Sequence, residues 1–542
     1  MRLNKKLAAT AMAALMASSV LAGCGDNATN ATNANNGQTQ GSNNGETQAE
    51  NSGNSEYPTI TFMAVDHSGH ALSNEHSDEV IAKMTEYTET NVQFQWEAND
   101  TYKEKFGVVL MDKDNMPMIL TSPDSEVKGS VIDAARKDAF WDLAPFLEDE
   151  EAYPNLAQIK DEVKDGLTVD GKLIGLPRSR PIGRNGMVYR TDWAEKVGIT
   201  EAPKTVDDVY NMLYKFAKED PDGNGKDDTY GMEMCKYTGP LDIIQTWFGC
   251  GNGWVEQDGQ LVPVHQTAEY MEALNWMKKI YDEGLIRKDW AAVDTTEWGN
   301  GIKKGEVGVF VDVLDAGKRA WDYYEDNDVK SVVNPEETAT ITYVGPVAKD
   351  ENSEPRTQAT SGIAGLFMIT KDGAKTEEDV KNCLHFLDKM NDNEMLVLAD
   401  YGLEGITYEI NDEGKIELLD TGLDAAQTPN SGLNQTLCYV PNAASTDPVL
   451  VKDEQTQLLQ DYQKMNEEYA VFNPATKYLL NSDANAKNGD TLKQILDDAR
   501  TQYICGAIDE NGLKAQWEDW ARRGGEDLIK EVNEQYQADQ NK

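Results

Sequence analysis

The segment Asp220-Pro221-Asp222-Gly223-Asn224-Gly225-Lys226-Asp227-Asp228 carries the sharpest local chemistry in the chain. Calcium takes about six to eight hard oxygen ligands, and a loop that folds alternate side chains inward supplies them. Asp220, Asp222 and Asn224 stand at loop positions one, three and five, Gly225 at six, the Lys226 main-chain carbonyl at seven and Asp228 at nine. That is the first part of an EF-hand loop. Position twelve, where an EF-hand places a bidentate Glu, is Gly231, which leaves the last ligand to a bidentate Asp228, to Glu233 or to water. The expected role is a structural Ca2+ that staples a loop; a plain Asp/Gly turn is the competing reading.

Other residue types point to ligand contact. Trp247, Trp254 and Trp298 sit in glycine-rich segments, where a flat ring can face a cleft or pack in a core. Asp66 and His67 end an apolar strand pattern, and ligands collect at the carboxyl ends of parallel strands. Arg178, Arg180 and Arg184 offer guanidinium forks suited to hydroxyl pairs or carboxylates, with salt bridging to local acids as the alternative. Asp312 closes another strand pattern and can accept hydroxyl protons. His67, His70 and His76 are spaced three and six residues apart on an irregular segment, a weak pattern for zinc.

These groups need elements to hold them. Thr59 to Val65 reads as a strand; Val80, Ile81, Met84 and Tyr87 mark a helix from Asp78; Asn91 to Trp96 is a second strand, Tyr102 to Met111 a helix and Met116 to Thr121 a third strand. This alternation predicts a largely parallel sheet covered by helices. Beyond the arginines come a strand at Met187 to Tyr189, a helix at Asp192 to Val197 and a helix capped by Thr205. Glu306 to Val313, Thr342 to Val347 and Gly362 to Thr370 read as strands. From about Leu450 the pattern is mostly helical, with Trp517, Trp520 and Leu528 marking one amphipathic element.

The chain opens with Arg2, Lys5 and Lys6, an apolar run from Leu7 to Leu21 and then Gly23-Cys24. A basic start followed by a run too short to span comfortably reads as a signal peptide, residues 1–23. Leu21-Ala22-Gly23-Cys24 resembles the bacterial lipobox, whose cysteine is acylated, here with palmitate expected, and becomes the new N-terminus. Residues 24–56 are built of Asn, Thr, Gly, Gln, Ser and Glu, too polar to offset their ordering entropy, and read as a flexible leash. The body from Tyr57 has length for two or three domains. A net charge of −45 excludes nucleic acid as a partner, because phosphates need neutralising Lys or Arg. Cys235, Cys250, Cys383, Cys438 and Cys505 show no CxxC spacing, and their odd number leaves at least one thiol free while a structural disulfide stays open.

The order of segments resembles extracellular solute-binding protein family 1, the substrate-binding lipoproteins of ABC importers. Besides the lipobox, the likeness rests on Gly171 to Trp193, Gly301 to Asp312 and Tyr401 to Tyr408. The long, calcium-containing oligosaccharide-binding members, the alginate- and fructo-oligosaccharide-binding proteins, look closest because they carry a calcium loop where this chain has Asp220 to Asp228. The resemblance implies a two-lobed α/β fold of the periplasmic-binding-protein kind, with crossing hinge strands and an interlobe cleft. Residues 57–180 and 360–432 are expected to form one lobe, 181–359 and 433–542 the other. It also implies a monomer on the extracellular face of the cell membrane that hands an oligosaccharide to permease subunits.

The tryptophans would then stack on sugar rings, and the arginines would favour a uronate or another anionic ligand. No Gly-x-Ser-x-Gly, His-Glu-x-x-His, Gly-x-x-x-x-Gly-Lys-Ser/Thr or post-strand Gly-x-Gly-x-x-Gly is present, so the expectation is a receptor and not an enzyme. The alternatives are a surface-anchored glycoside hydrolase and a peptide- or lipid-binding receptor on the same fold.

Overall fold

Alternating and β-branched apolar runs form the strands. The computed structural model describes residues 56–124, 127–423, 427–438 and 454–541. The expected leader, Cys24 and almost all of the leash lie outside the described residues. In chain order the strands of the two main sheets are β1 (Thr59–Asp66), β2 (Asn91–Ala98), β3 (Ile119–Thr121), β4 (Leu176–Ser179), β5 (Asn185–Arg190), β6 (Tyr230–Met232), β7 (Val307–Val313), β8 (Ile341–Val344) and β9 (Ile363–Ile369).

The first sheet has the order β2-β1-β3-β9-β4 and the second β8-β5-β7-β6. β1 runs parallel to β2, from Thr59 opposite Asn91 to Asp66 opposite Ala98, and parallel to β3. β9 is antiparallel to both β3 and β4. In the second sheet β5 is antiparallel to β7 and β8, while β6 and β7 are parallel. Parallel pairing therefore holds among β1 to β3, and within this sheet β9 is the one strand that runs against the rest. β4 leaves the first sheet in the same sense as β1 to β3, and β9 re-enters from the second sheet in the opposite sense, between β3 and β4.

Each sheet has its own core. Phe62, Leu120, Phe367 and Phe386 are fully buried in the first, with the Phe62 and Phe367 rings edge to face at 5.4 Å. Trp193, Phe216 and Val309 anchor the second, the first two rings meeting at 5.7 Å. Burying each large side chain contributes about 1.5–3 kcal/mol. Leu433, Leu437 and Cys438 pack in the first core, past the expected switch at 432/433. The C-terminal helices cover the second sheet through Ala499, Tyr503 and Leu513, and build a further cluster with Trp254, Leu261 and Trp520. The Trp517–Leu528 segment is two helices, Glu510–Trp520 and Glu526–Gln540, separated by a wide turn in which Gly524 has φ 125°. Among the described residues no helix is long and apolar enough to cross a membrane.

The chain passes from β4 to β5 through residues 180–184 and returns to β9 through residues 345–362. Helix Glu454–Asn466 lies across the first passage. The Asn466 amide donates to the Gly183 carbonyl at 3.1 Å and to the Asn185 carbonyl at 2.9 Å, and its residue is fully buried. Gly183 permits this contact, since a Cβ there would fall 2.1 Å from the Gln463 carbonyl oxygen.

Candidate ligand-binding site

β1, β4 and β7 bring charged ends to the passage between the sheets. Asp66 closes β1, but its carboxylate is occupied. One oxygen accepts from the Ser68 amide at 2.9 Å, the Ser68 hydroxyl at 2.8 Å and the Gly69 amide at 2.8 Å, and the other from the Ala71 amide at 3.4 Å. Burial alone would raise this carboxyl; the hydrogen bonds outweigh it and lower it. Asp66 thus shapes the loop that presents His67, which stands open to solvent. Burial, and then the Arg178 charge, hold the His67 imidazole below its ordinary value.

The three arginines differ in their commitments. Arg178 donates to the Ala364 carbonyl at 2.7 Å and to the Gln435 side chain. Arg184 forms a fork on Asp315, Nε and Nη2 donating at 2.9 and 3.0 Å, at the start of helix Asp315–Asp326. Its guanidinium is a structural pair and not a free ligand group. Arg180 is half-buried between them and has no hydrogen bond or ion pair among the described residues. Burial and the Arg184 charge lower its pKa, while Asp315 opposes them.

On the second sheet Asp312 sits opposite Gly186, the second residue of β5. Burial raises its carboxyl to about 6; the Val313 amide and the Arg319 and Arg184 charges oppose the rise. Two positions before it on the same strand, Phe310 packs at 4.7 Å against Trp298, which is half-buried and meets Tyr237 at 5.2 Å. Tyr237 is 47% exposed and lies over Gly239, where a Cβ would fall 2.1 Å from its hydroxyl. Partial burial and the Asp312 and Asp242 charges push its phenol up to about 12. Tyr237 and Trp298 form an exposed aromatic step beside Asp312. The sequence reading missed Tyr237, although its place in the turn after β6 was a signal, because β6 runs parallel to β7 and such ends collect ligands.

Two tryptophans stand elsewhere. Trp247 is 1% exposed within the second core and Trp254 is 6% exposed in the C-terminal cluster. In this structure both pack instead of offering a face. Glu233, considered as a calcium ligand, is buried under helix Asn300–Lys304. Its carboxylate accepts from the amides of Gly299, Gly301 and Ile302 at 3.0–3.1 Å, so it caps that helix. His76 pairs with Glu79 and Glu75. The five cysteines beyond the leader are free thiols.

Asp220 to Asp228 folds into a compact turn with Asp220, Gly223 and Gly225 at positive φ. Both Asp220 oxygens accept from the Gly225 amide, at 3.1 and 3.2 Å. The Asn224 amide donates to Asp222 at 2.6 Å and to Asp228 at 3.1 Å, and the Lys226 amide donates to Asn224 at 2.8 Å. Burial, a contact with Asp220 and repulsion from Asp228 and Asp220 raise the Asp222 carboxyl. Among the described residues no three His, Cys, Asp or Glu side chains converge in a geometry ready for a metal. The donor set nevertheless fits a hard cation, since repelling carboxylates face one shared donor where a divalent ion would satisfy them.

Residues 73–391 match the family model of the bacterial extracellular solute-binding proteins. The chain belongs to that family. This solute-binding protein is 36% identical over 467 residues to lipoprotein LipO of Bacillus subtilis, with 84% of this chain and 88% of the relative covered. It is 29% identical over 466 residues to the polygalacturonan/rhamnogalacturonan-binding protein YtcQ of the same organism, covering 85% of this chain and 88% of the relative. In fold it is similar to the FusA substrate-binding protein of S. pneumoniae solved with kestose, with TM-score 0.60, 17% identity and coverage of 89% and 100% of the two chains. The expected two-lobed α/β fold is that of the family.

Asp312 makes a pH prediction. Its carboxyl lies at about 6 when folded against an ordinary 3.8, so between those values the folded solute-binding protein holds a proton that the unfolded chain has released. Stability from this group therefore falls as pH rises through that window. Asp312→Asn is expected to melt at or above wild type at about pH 7.5, with the advantage shrinking towards about pH 4. A lower melting temperature at about pH 7.5 would mean that Arg319 and Arg184 over-compensate the burial.

Proposed function

We propose that this chain is a lipid-anchored receptor that captures an oligosaccharide between its two sheets and presents it to an ABC importer, without chemistry on the ligand. The observation that carries the reading is the aromatic step of Tyr237 and Trp298 beside Asp312, with Arg180 unpaired among the described residues in the passage between the sheets. Flat apolar faces receive the C–H side of a sugar ring, and planar polar groups receive its hydroxyls. The carbohydrate names of YtcQ and FusA support the same ligand class.

Acylation of Cys24 would hold a monomeric body on the outer face of the cell membrane, with residues 24–56 as the leash; the name of LipO agrees with such an anchor. The lobes are residues 57–180 with 360–438, and 181–359 with 454–542. Ligand binding would favour a closed arrangement by its differential affinity for that state. Calcium held by Asp220, Asp222, Asn224, the Lys226 carbonyl and Asp228 would brace a loop of the second lobe. Asp66, Glu233 and Asp315 serve structural hydrogen bonds.

A thermal-shift screen of residues 57–542 with neutral and acidic oligosaccharides, and peptides as controls, tests the receptor reading. Saturation at about a hundred times Kd adds about 2.7 kcal/mol of stability, hence a rise of several degrees with a sugar class. A response to peptides alone would overturn it. In the same assay, chelation is expected to lower the melting temperature and added calcium to restore it; an unchanged melt after verified metal removal would exclude the metal. Cys24→Ser should release the protein from membranes into the medium, and continued membrane retention would refute the anchor.

A further inference from the structure

Arg180 is out of keeping with its chain. In a protein with 95 acidic and 50 basic residues, most guanidinium groups find a carboxylate. Arg184 has Asp315, Arg287 has Asp289 and Arg500 has Asp242, each within hydrogen-bonding distance. Arg180 is half-buried, lies beside like charges on Arg178 and Arg184, and has no partner among the described residues. Partial desolvation and like-charge neighbours both act against a cation, and the Asp315 charge, already paired with Arg184, offsets them only in part. Its neighbours are fixed: Arg178 by Ala364 and Gln435, Arg184 by Asp315. The Arg180 fork is thus unused among the described residues, in the segment that joins the two sheets.

We propose that Arg180 is the specificity-determining residue of the ligand site and that it selects a sugar bearing a carboxylate, a uronate, over the neutral sugar of the same shape. The assignment rests on the oligosaccharide reading above and names its class. A guanidinium fork matches the two oxygens of a carboxylate, and the charge-assisted pair is the strong kind of hydrogen bond. The chain's net negative charge does not prevent this. Surface acids beyond about 8 Å are largely screened at physiological salt, whereas a half-buried cation in contact is not. An esterified or neutral ring would leave the fork as unpaired as it is in the free protein.

The test uses residues 57–542 and isothermal titration with trimers of galacturonate, mannuronate, guluronate and glucuronate, each beside its methyl ester, and with neutral trisaccharides. At least one acid is expected to bind on the order of 10- to 100-fold more tightly than its own ester. Arg180→Gln should bring that ratio close to one. Arg180→Lys, which keeps the charge and loses the fork, should leave an intermediate ratio, and both variants are checked for an unchanged melting temperature. Equal binding of acid and ester by wild type, or tighter binding of a neutral sugar than of any acid, would overturn the uronate assignment and leave the receptor reading intact. An acid preference that survives Arg180→Gln would remove Arg180 as its source. No binding of any sugar would sink both.

Discussion

Two sheets must share one chain, and the first link between them is only residues 180–184. The buried Asn466 amide reaches from a C-terminal helix to the carbonyls of Gly183 and Asn185, while Thr360 and Leu314 donate to those of Pro181, Ile182 and Arg184. Two main-chain acceptors, one inside the link and one at the start of the second sheet, need partners once removed from water. Gly183 is required because the backbone at Gln463 leaves no room for a Cβ. With the passage fixed, Arg180 and Arg184 are fixed, and with Arg184 the Asp315 end of its helix. Asp312 follows through the pairing of β7 with β5.

The charges near the passage divide into those that build and those that remain free. Asp66, Glu233 and Asp315 are surrounded by amide or guanidinium donors and hold loops and helix starts in place. Asp312, His67, Tyr237 and Arg180 are left with capacity to spare. This division is chemical and not a matter of residue type, since acids and arginines stand on both sides of it.

Much of the scaffold was legible because periodicity reports burial. β1, β2 and the helix between them fall within two residues of their expected limits, and the Thr205 cap forms with Asp208 as its reciprocal partner. The reversed entry of β9 was not legible, as direction within a sheet depends on which sheet the chain came from. Asp220 to Asp228 folds into a compact turn, whereas Glu233, weighed as its last acid, caps a helix some 66 residues on. Neighbouring glycines did not distinguish Trp247 and Trp254, which pack, from Trp298, which stays half-buried. Glycine reports backbone freedom; which way a ring points is settled by elements distant in sequence. The separation of Arg180 from Arg178 and Arg184 likewise depends on Asp315, Ala364 and Gln435, all far along the chain.

In the proposed mode of action the two sheets come together around the ligand. Small-angle X-ray scattering of residues 57–542, with and without saturating oligosaccharide, measures that motion directly. The account predicts a smaller radius of gyration in the bound state. An identical radius at verified saturation would contradict it.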